Sequence, residues 1–356
     1  MFHALCEARC WKGKNAVFSN DIGIDLGTAT TIIHVKGKGI VLREPSIVAM
    51  DTRTGKVLAV GDEASRMLGK TSESIRVVRP LEEGVISDYE VTEQMLKHFF
   101  RKISPNKFFK PRVCVCVPSA ITEVESRAVI DTVMSSGARN VFLIEEPVAA
   151  AIGSGIDITR PGGVAILDIG GGTSDIAVLS LNGIVCKTSL KLAGNRMNST
   201  IIKHVRSTYN VLIGDNTADR IKRDIATVWM EGVEHVQYEI KGRNLVTGLP
   251  QKITITNTEL VEPLRADVEH IIIALQSVLE RTPPELVADI QQSGLVMTGG
   301  GAMLGGLDKL ITSRVRITAR LADNPIEAVA IGTGESFAYI GKLYDGFVTY
   351  TSYSSK

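Results

Sequence analysis

Two glycine-rich segments in this chain share one design, although they lie far apart. Each follows an apolar run, opens with an aspartate and passes through glycines and hydroxyl residues into a second β-rich run. They are Asp25-Leu26-Gly27-Thr28-Ala29-Thr30-Thr31 and Asp168-Ile169-Gly170-Gly171-Gly172-Thr173-Ser174-Asp175. This pattern predicts a strand, a tight turn and a second strand in both places. The repeat therefore limits the fold to one built around two equivalent hairpins.

The composition of both turns is suited to binding phosphate groups. Glycine has no Cβ, so backbone N–H groups can close around an oxyanion, and threonine hydroxyls add donors. The residues concerned are Gly27, Thr28, Ala29 and Thr30 in the first turn, and Gly170, Gly171, Gly172 and Thr173 in the second.

An aspartate opens each turn, and a polyphosphate would repel a bare carboxylate. A divalent cation between them removes this conflict, and Mg²⁺, which keeps several waters and binds few carboxylates, fits. We therefore predict that Asp25 and Asp168 hold Mg²⁺ through water molecules. The alternative for either segment alone is a glycine-rich hairpin with an aspartate at a turn position. Two copies in one chain argue against that alternative.

Two other nucleotide-binding motifs are incomplete in this sequence. Gly69-Lys70-Thr71 resembles the end of a P-loop, but Ala64 stands where that motif requires a glycine. The run from Gly299 to Leu304 lacks the last glycine of the dinucleotide fingerprint. Neither a P-loop nor a dinucleotide-binding turn is therefore predicted.

Composition sets broad limits on the class of protein. The chain has 356 residues with 44% hydrophobic content, enough for a large core and two domains. Lys and Arg number 40 against 39 Asp and Glu, so the net charge of +1 gives no footprint for nucleic acid. No apolar stretch reaches the roughly 20 residues of a membrane span. Five cysteines, an odd number, fit a reducing compartment, and we expect a cytoplasmic protein.

Helix and strand signals alternate along the rest of the chain. Apolar runs predict strands at 41–50, 112–118, 140–144 and 295–298, and periodic patterns predict helices at 92–103, 123–137, 217–231, 258–280 and 304–312. Small residues at 145–153 and 327–334 predict two closely crossing helices that form a hinge. Strands and helices alternating around duplicated hairpins predict an α/β fold with mixed sheets.

These elements together resemble the superfamily of actin, sugar kinases and heat-shock chaperone ATPases. Its five parts occur in order: two phosphate hairpins, two connecting helices and an adenosine loop at Thr298 to Leu304. Within the superfamily the chain is similar to bacterial actins of the MreB family, from about residue 18 to residue 334. The similar segments include Phe18-Ser19-Asn20-Asp21, Gly61-Asp62-Glu63-Ala64, Pro80-Leu81-Glu82-Glu83-Gly84-Val85-Ile86, Glu145-Glu146-Pro147, Gly248-Leu249-Pro250 and Thr282-Pro283-Pro284-Glu285-Leu286.

The resemblance implies an actin-like, ribonuclease H-like duplicated α/β fold, with two lobes of two subdomains around a nucleotide cleft. We expect subdomain IA at 1–47, 81–159 and 332–356, IB at 48–80, IIA at 160–195 and 261–331, and IIB at 196–260. It also implies ATP and Mg²⁺ as cofactors and self-assembly into filaments. Such filaments lie on the inner face of the cytoplasmic membrane and guide the cell-wall elongation machinery, so the implied role is in cell shape.

The resemblance also assigns roles to residues of the cleft. Glu146 stands where the family places the residue that orients or activates the attacking water; the alternative is an acid favoured by the helix dipole. Asp219-Arg220-Ile221-Lys222 matches the segment that approaches the adenosine, and the alternative is a solvated charge pair. The adenosine loop contributes Gly299, Gly300, Gly301 and Ala302.

A pair of aromatic residues between lysines suggests a membrane contact. Phe108 and Phe109, flanked by Lys107 and Lys110, resemble the apolar membrane-insertion loop of bacterial actins. The alternative is that both side chains belong to the core.

The chain departs from the family pattern at several cleft positions. Thr30 stands where asparagine is common, Ser174-Asp175 replaces a threonine-glutamate pair, and Asn195 and Asn198 replace acids. The resemblance therefore predicts nucleotide binding and leaves the rate of a weak ATPase activity open. A small-molecule kinase of the same fold is the alternative function, although neither a base aimed at a substrate hydroxyl nor a substrate-specific insertion is evident.

Overall fold

The computed structural model describes residues 21–103, 110–340 and 342–343, and the backbone of residues 347–350. In these ranges the strands are β1 (Asp21–Leu26), β2 (Thr30–Val35), β3 (Gly39–Pro45), β4 (Val48–Asp51), β5 (Val57–Val60), β6 (Ile75–Val78), β7 (Leu81–Glu82), β8 (Val85–Ile86), β9 (Arg112–Val117), β10 (Asn140–Glu145), β11 (Val164–Ile169), β12 (Ser174–Ser180), β13 (Gly183–Leu190), β14 (Val211–Leu212), β15 (Gln237–Asn244), β16 (Pro250–Thr256), β17 (Leu295–Thr298), β18 (Ala319–Leu321) and β19 (Phe347–Tyr350). The α-helices are α1 (Asp62–Met67), α2 (Tyr89–Ile103), α3 (Glu123–Ser135), α4 (Glu146–Gly153), α5 (Gly194–Tyr209), α6 (Asp215–Asp224), α7 (Asn257–Arg281), α8 (Pro284–Ser293), α9 (Leu307–Val315) and α10 (Ala328–Glu335).

Two mixed β-sheets with the same internal plan form the centre of the protein. The first sheet has the strand order β19-β10-β9-β1-β2-β3, and the second has the order β13-β12-β11-β17-β18. In the first, β1 pairs antiparallel with β2 and parallel with β9. In the second, β11 pairs antiparallel with β12 and parallel with β17. Both glycine-rich segments are thus confirmed as strand, turn and strand, and the mixed α/β architecture is confirmed with them.

Two short helices cross between the sheets at backbone contact. A Cβ on Gly153 of α4 would lie 1.8 Å from the carbonyl oxygen of Ala328, and one on Gly332 of α10 would lie 1.8 Å from that of Ala149. The small residues at this crossing therefore allow the backbones themselves to touch, as the sequence predicts. Their flanks are apolar, and a cluster that includes Ile166 and Val329 fills the space around the crossing.

Smaller elements surround these sheets. Strands β5-β4-β6 form one three-stranded sheet next to α1, and β14-β15-β16 form another beside α5. One further apolar cluster is buried against the first sheet, and another is buried against the second. The predicted boundaries of the four subdomains stay a prediction.

Three elements differ from their sequence-based predictions. The strand expected at 41–50 is interrupted, because Ser46 leaves the ladder and its hydroxyl donates to the carbonyl of Gly27 at 2.6 Å. The helix expected at 217–231 ends at Asp224, because the amide of Val228 instead donates to the carbonyl of Gly305 at 2.9 Å. The helix expected at 304–312 starts at Leu307, after a 3₁₀ turn over Gly301–Met303.

We predict that Gly153→Ala lowers the free energy of unfolding by about 2 kcal/mol or more, because its Cβ would press on backbone atoms that cannot rotate away. Urea denaturation measures this change. Gly214→Ala is the matched control, since a Cβ at Gly214 meets no atom within 4 Å and its φ is −92°. Equal stability of the two variants would contradict the backbone contact.

Candidate functional site

A cavity of about 410 Å³ lies where the turns of the two hairpins face each other. Residues from both sheets, α4, α6 and the glycine run after β17 line it. The structure brings together on this lining the following predicted residues: Asp25, Gly27, Thr28, Ala29, Thr30, Glu146, Asp168, Gly170, Gly171, Gly172, Thr173, Asp219, Lys222, Gly299, Gly300 and Gly301. Segments that are distant in sequence thus form one cleft.

Three residues predicted for the site lie off this lining. The side chains of Ile221 and Ala302 are buried in the apolar core beneath the second sheet, and Arg220 is exposed on α6. The helical period explains the difference, because Asp219, Lys222 and Arg223 share the face of α6 that lines the cleft.

The two hairpin turns approach each other so closely that only glycine fits in the second. A Cβ on Gly171 would lie 2.7 Å from the Cβ of Ala29, and one on Gly172 would lie 2.5 Å from Oγ1 of Thr28. The same Oγ1 accepts a hydrogen bond of 2.9 Å from the amide of Gly84, in the turn between β7 and β8. The turns are therefore held in contact with each other and with a third segment.

The N-terminus of α5 is attached to the second hairpin through its backbone. The helix has no side-chain cap. Instead, the amide of Gly194 donates to the carbonyl of Gly170 at 3.1 Å, and that of Asn195 donates to the carbonyl of Gly171 at 2.8 Å. These bonds satisfy amides that a helix start leaves unpaired, and they place Gly194 and Asn195 on the cleft lining.

A half-buried lysine joins α6 to the same corner of the cleft. Nζ of Lys222 donates to the carbonyl of Gly194 at 3.0 Å and lies 3.2 Å from Oδ1 of Asp219. Burial lowers the pKa of Lys222, and the charge of Asp219 opposes that change. The predicted pair Asp219 and Lys222 is therefore a fixed part of the wall.

Three carboxyl groups on the cleft lining have raised pKa values. Burial raises the pKa of Asp25 from 3.8 to about 6, and burial with the charges of Asp175 and Asp25 raises that of Asp168 to about 7. The pKa of Glu146 is raised well above its ordinary value, first by burial and then by the charges of Asp175, Asp168 and Asp25. The site thus concentrates negative charge that burial disfavours.

The contacts of the two predicted magnesium residues are neutral. Thr298 donates to Oδ1 of Asp168 at 2.6 Å, and Sγ of Cys116 donates to Oδ1 of Asp25 at 3.4 Å. Two buried acids with neutral hydrogen-bond partners fit a divalent cation as their counter-charge. Within the described ranges, no group of three or more His, Cys, Asp or Glu side chains is placed to hold a metal ion directly.

Part of the lining is apolar, and of this part the sequence placed only Met303 and Leu304 near the ligand, within the predicted adenosine loop. The apolar part comprises Ile32, Met303, Leu304, Ile326 and Val329, and it stands near the glycine run, whose Gly299 donates to the carbonyl of Pro325 at 2.7 Å. Apolar side chains beside a few polar groups are typical of small-molecule sites. Their sequence signal is weak, because buried apolar residues are common in any core.

Two arginines on the lining were also missed. Arg43 comes from β3, where its side chain lies 3.7 Å from Oε1 of Glu327, and Arg223 comes from α6. An arginine in a strand or on a helix face is ordinary in sequence, so only the fold shows that these two border the cleft.

The predicted membrane loop, with Phe108 and Phe109, lies outside the described residues. In the part of the chain that the structure describes, none of the helices combines the length and the apolarity needed to cross a membrane.

The duplicated sheets, the crossed helices and the cleft between glycine hairpins define an actin-like protein. Its fold matches that of the MamK double helical filament with a TM-score of 0.76 at 21% identity, covering 89% of this chain and 98% of that one. Crystal structures of MreB5 of Spiroplasma citri, bound to AMPPNP and to ADP, match with a TM-score of 0.86 at 37% identity, covering 90% of this chain and 97% of theirs.

Sequence comparison identifies the branch of the actin-like proteins. The cell shape-determining protein Mbl of Bacillus subtilis (strain 168) is 50% identical over 328 residues, which are 92% of this chain and 98% of that protein. The MreB/Mbl protein family matches residues 19–344. The chain belongs to the MreB/Mbl family, which confirms the resemblance found in the sequence and does not favour the kinase alternative.

Proposed function

We propose that this protein binds ATP in the cleft, assembles into filaments and takes part in determining cell shape, with slow hydrolysis of the nucleotide. The observation that carries the proposal is the meeting of two glycine hairpins at one cavity lined by acids. The relative from Spiroplasma citri, whose structures hold AMPPNP and ADP, supports adenine nucleotide as the ligand. The relationship to Mbl supports the cellular role.

In this proposal the two turns hold the phosphates. The backbone N–H groups and hydroxyls of residues 27–30 and 170–173 supply donors from opposite sides. The adenosine lies against the apolar lining near Met303 and Val329, bordered by Asp219 and Lys222.

The cleft residues also fit Mg²⁺. Asp25 and Asp168 would hold the ion through water molecules, and their raised pKa values show how strongly burial disfavours the bare charges. When bound, Mg²⁺ neutralises charge on the phosphates and lowers the electrostatic barrier to phosphoryl transfer.

Hydrolysis is assigned to Glu146. Its carboxyl group stands at the start of α4, on the cleft lining. Burial, followed by the charges of Asp175, Asp168 and Asp25, raises its pKa well above the ordinary value. We propose that Glu146 orients the attacking water.

Filament assembly, membrane attachment and work with the cell-wall elongation machinery complete the proposal. The MreB/Mbl resemblance implies each of them, and the pair Phe108 and Phe109 is the proposed contact with the inner face of the cytoplasmic membrane. The protein is then cytoplasmic and peripheral to that membrane.

The first test is pelleting of the purified protein with ATP and Mg²⁺, with ADP, and without nucleotide, each with and without anionic liposomes. We expect pelleting that depends on ATP and increases with liposomes, because the nucleotide ties together the two sheets whose relative position a filament must fix. A soluble monomer that still hydrolyses ATP would contradict the proposal and support a kinase.

We predict that Glu146→Ala retains ATP binding and loses phosphate release by about tenfold or more, because the water loses its orienting carboxylate. Fluorescent-nucleotide titration measures binding, and a phosphate assay measures release. Glu145→Ala is the control, since this neighbouring acid pairs with Lys187 at 2.6 Å and is not on the cleft lining. Unchanged release in Glu146→Ala would remove Glu146 from the mechanism.

We predict that Phe108→Ser with Phe109→Ser abolishes co-sedimentation with anionic liposomes without changing the unfolding midpoint, because aromatic side chains supply the apolar anchor. The matched control is Val246→Ser with Leu249→Ser. These side chains are 82% and 64% exposed in the turn between β15 and β16, and the control should bind like the wild type. Equal sedimentation of all three proteins would refute the membrane loop.

A further inference from the structure

A buried aspartate connects the two large sheets next to the cleft. Asp175 of β12 is fully buried and stands opposite Asp168 in the pairing of β11 with β12. Its Oδ1 accepts a hydrogen bond of 2.8 Å from the backbone amide of Ser119, which follows β9 of the first sheet. Because a buried carboxylate depends on its donors, this bond fixes the orientation of the side chain.

The second oxygen of Asp175 is left for another partner. Oδ2 is buried, and no donor of the described residues is placed to hydrogen-bond to it. Burial raises the pKa of the Asp175 carboxyl, while the bond from Ser119 and the contacts with Ser189, Glu146 and Thr173 lower it. A buried acceptor without a donor is costly, so native proteins rarely keep one without a reason.

Glu146 is a neighbour of the Asp175 side chain, because α4, which Glu146 begins, packs against β12, and a side-chain hydrogen bond joins the two carboxyl groups. After burial, the charge of Asp175 is the largest cause of the raised pKa of Glu146, so the two carboxyl groups interact directly. Glu146 and Ser119 both belong to segments that leave the first sheet, through β10 and β9 respectively. The bond from Ser119 therefore fixes Asp175 relative to Glu146, even though Asp175 belongs to the second sheet.

We propose that Asp175 is a positioning residue for ATP hydrolysis, anchored to the first sheet through Oδ1 and orienting Glu146 by accepting a hydrogen bond from its protonated carboxyl group. This inference rests on the proposed function, because only there is Glu146 assigned to the attacking water. It adds a condition to that assignment: Glu146 is oriented for reaction only while both sheets keep the separation at which Ser119 reaches Asp175.

The test is the pair Asp175→Asn and Asp175→Glu in the full chain. Asparagine keeps an oxygen that can accept from the Ser119 amide. Its NH₂ group takes the place of Oδ2, and this group can only donate to Glu146 where the carboxylate accepts. We expect phosphate release at saturating ATP to fall about tenfold or more, while the Kd for ATP changes by less than about twofold because Asp175 is not on the cleft lining. Asp175→Glu keeps a carboxylate at this position, where the family pattern has glutamate. Its phosphate release should stay within about threefold of that of the wild type.

Asp267→Asn controls for the loss of a buried carboxylate as such. Asp267 of α7 is 7% exposed and interacts with Arg196 and Thr200, away from the cleft lining. Its variant should keep wild-type release even if its unfolding midpoint falls. A role confined to stability would instead give Asp175→Asn a lower midpoint with unchanged release.

Three outcomes would overturn the inference. Release by Asp175→Asn could equal that of the wild type or of Asp267→Asn, or ATP affinity could fall in parallel with release. If the wild type binds ATP but releases no phosphate, hydrolysis fails as a function and the inference fails with it. Turnover by the wild type with no effect of Asp175→Asn would refute only the role of Asp175.

Discussion

The contact on which the rest of this structure depends is the crossing of α4 and α10 without intervening side chains. Gly153 and Gly332 meet backbone atoms of the opposite helix, and Gly23 of β1 meets the backbone of Gly334 in the same way. The first sheet and the two helices are thereby packed with backbone against backbone at these glycines. A side chain at any of these glycines would force the sheets apart, because no rotamer can relieve a clash with backbone.

That packing determines the cleft. With the sheets held this close, the turn at Thr28 and Ala29 touches the turn at Gly171 and Gly172, and acids from both sheets come within range of one another. Burial raises the pKa values of Asp25, Asp168 and Glu146, and neighbouring acids raise those of Asp168 and Glu146 further. Such raised values are typical of a site that binds a counter-charge or moves a proton. The packing that makes these buried negative charges unfavourable is the same packing that forms the site.

The sequence predicted the site better than it predicted the elements around it. The hairpin residues and Glu146 reach the cleft because glycine turns and small-residue helices are strong local signals. Ile221 and Ala302 do not line it, because a motif of consecutive residues carries no information on which side of a helix faces the ligand. The helix expected to continue past Asp224 ends there, since hydrogen bonds to Gly305 outweigh the local pattern. The sequence could not predict that Arg43 borders the cleft, because an arginine in a strand is an ordinary charged residue.

By itself, the sequence determined the duplicated hairpins, the mixed α/β class and the family, because these follow from local periodicity, glycine placement and motif order. Only the tertiary structure decided which side chains share a cavity. It also shows that the acids perturb one another, and that Ser119 of one sheet holds Asp175 of the other. These facts concern distances between segments far apart in the chain, and such distances are fixed by how the sheets and helices pack.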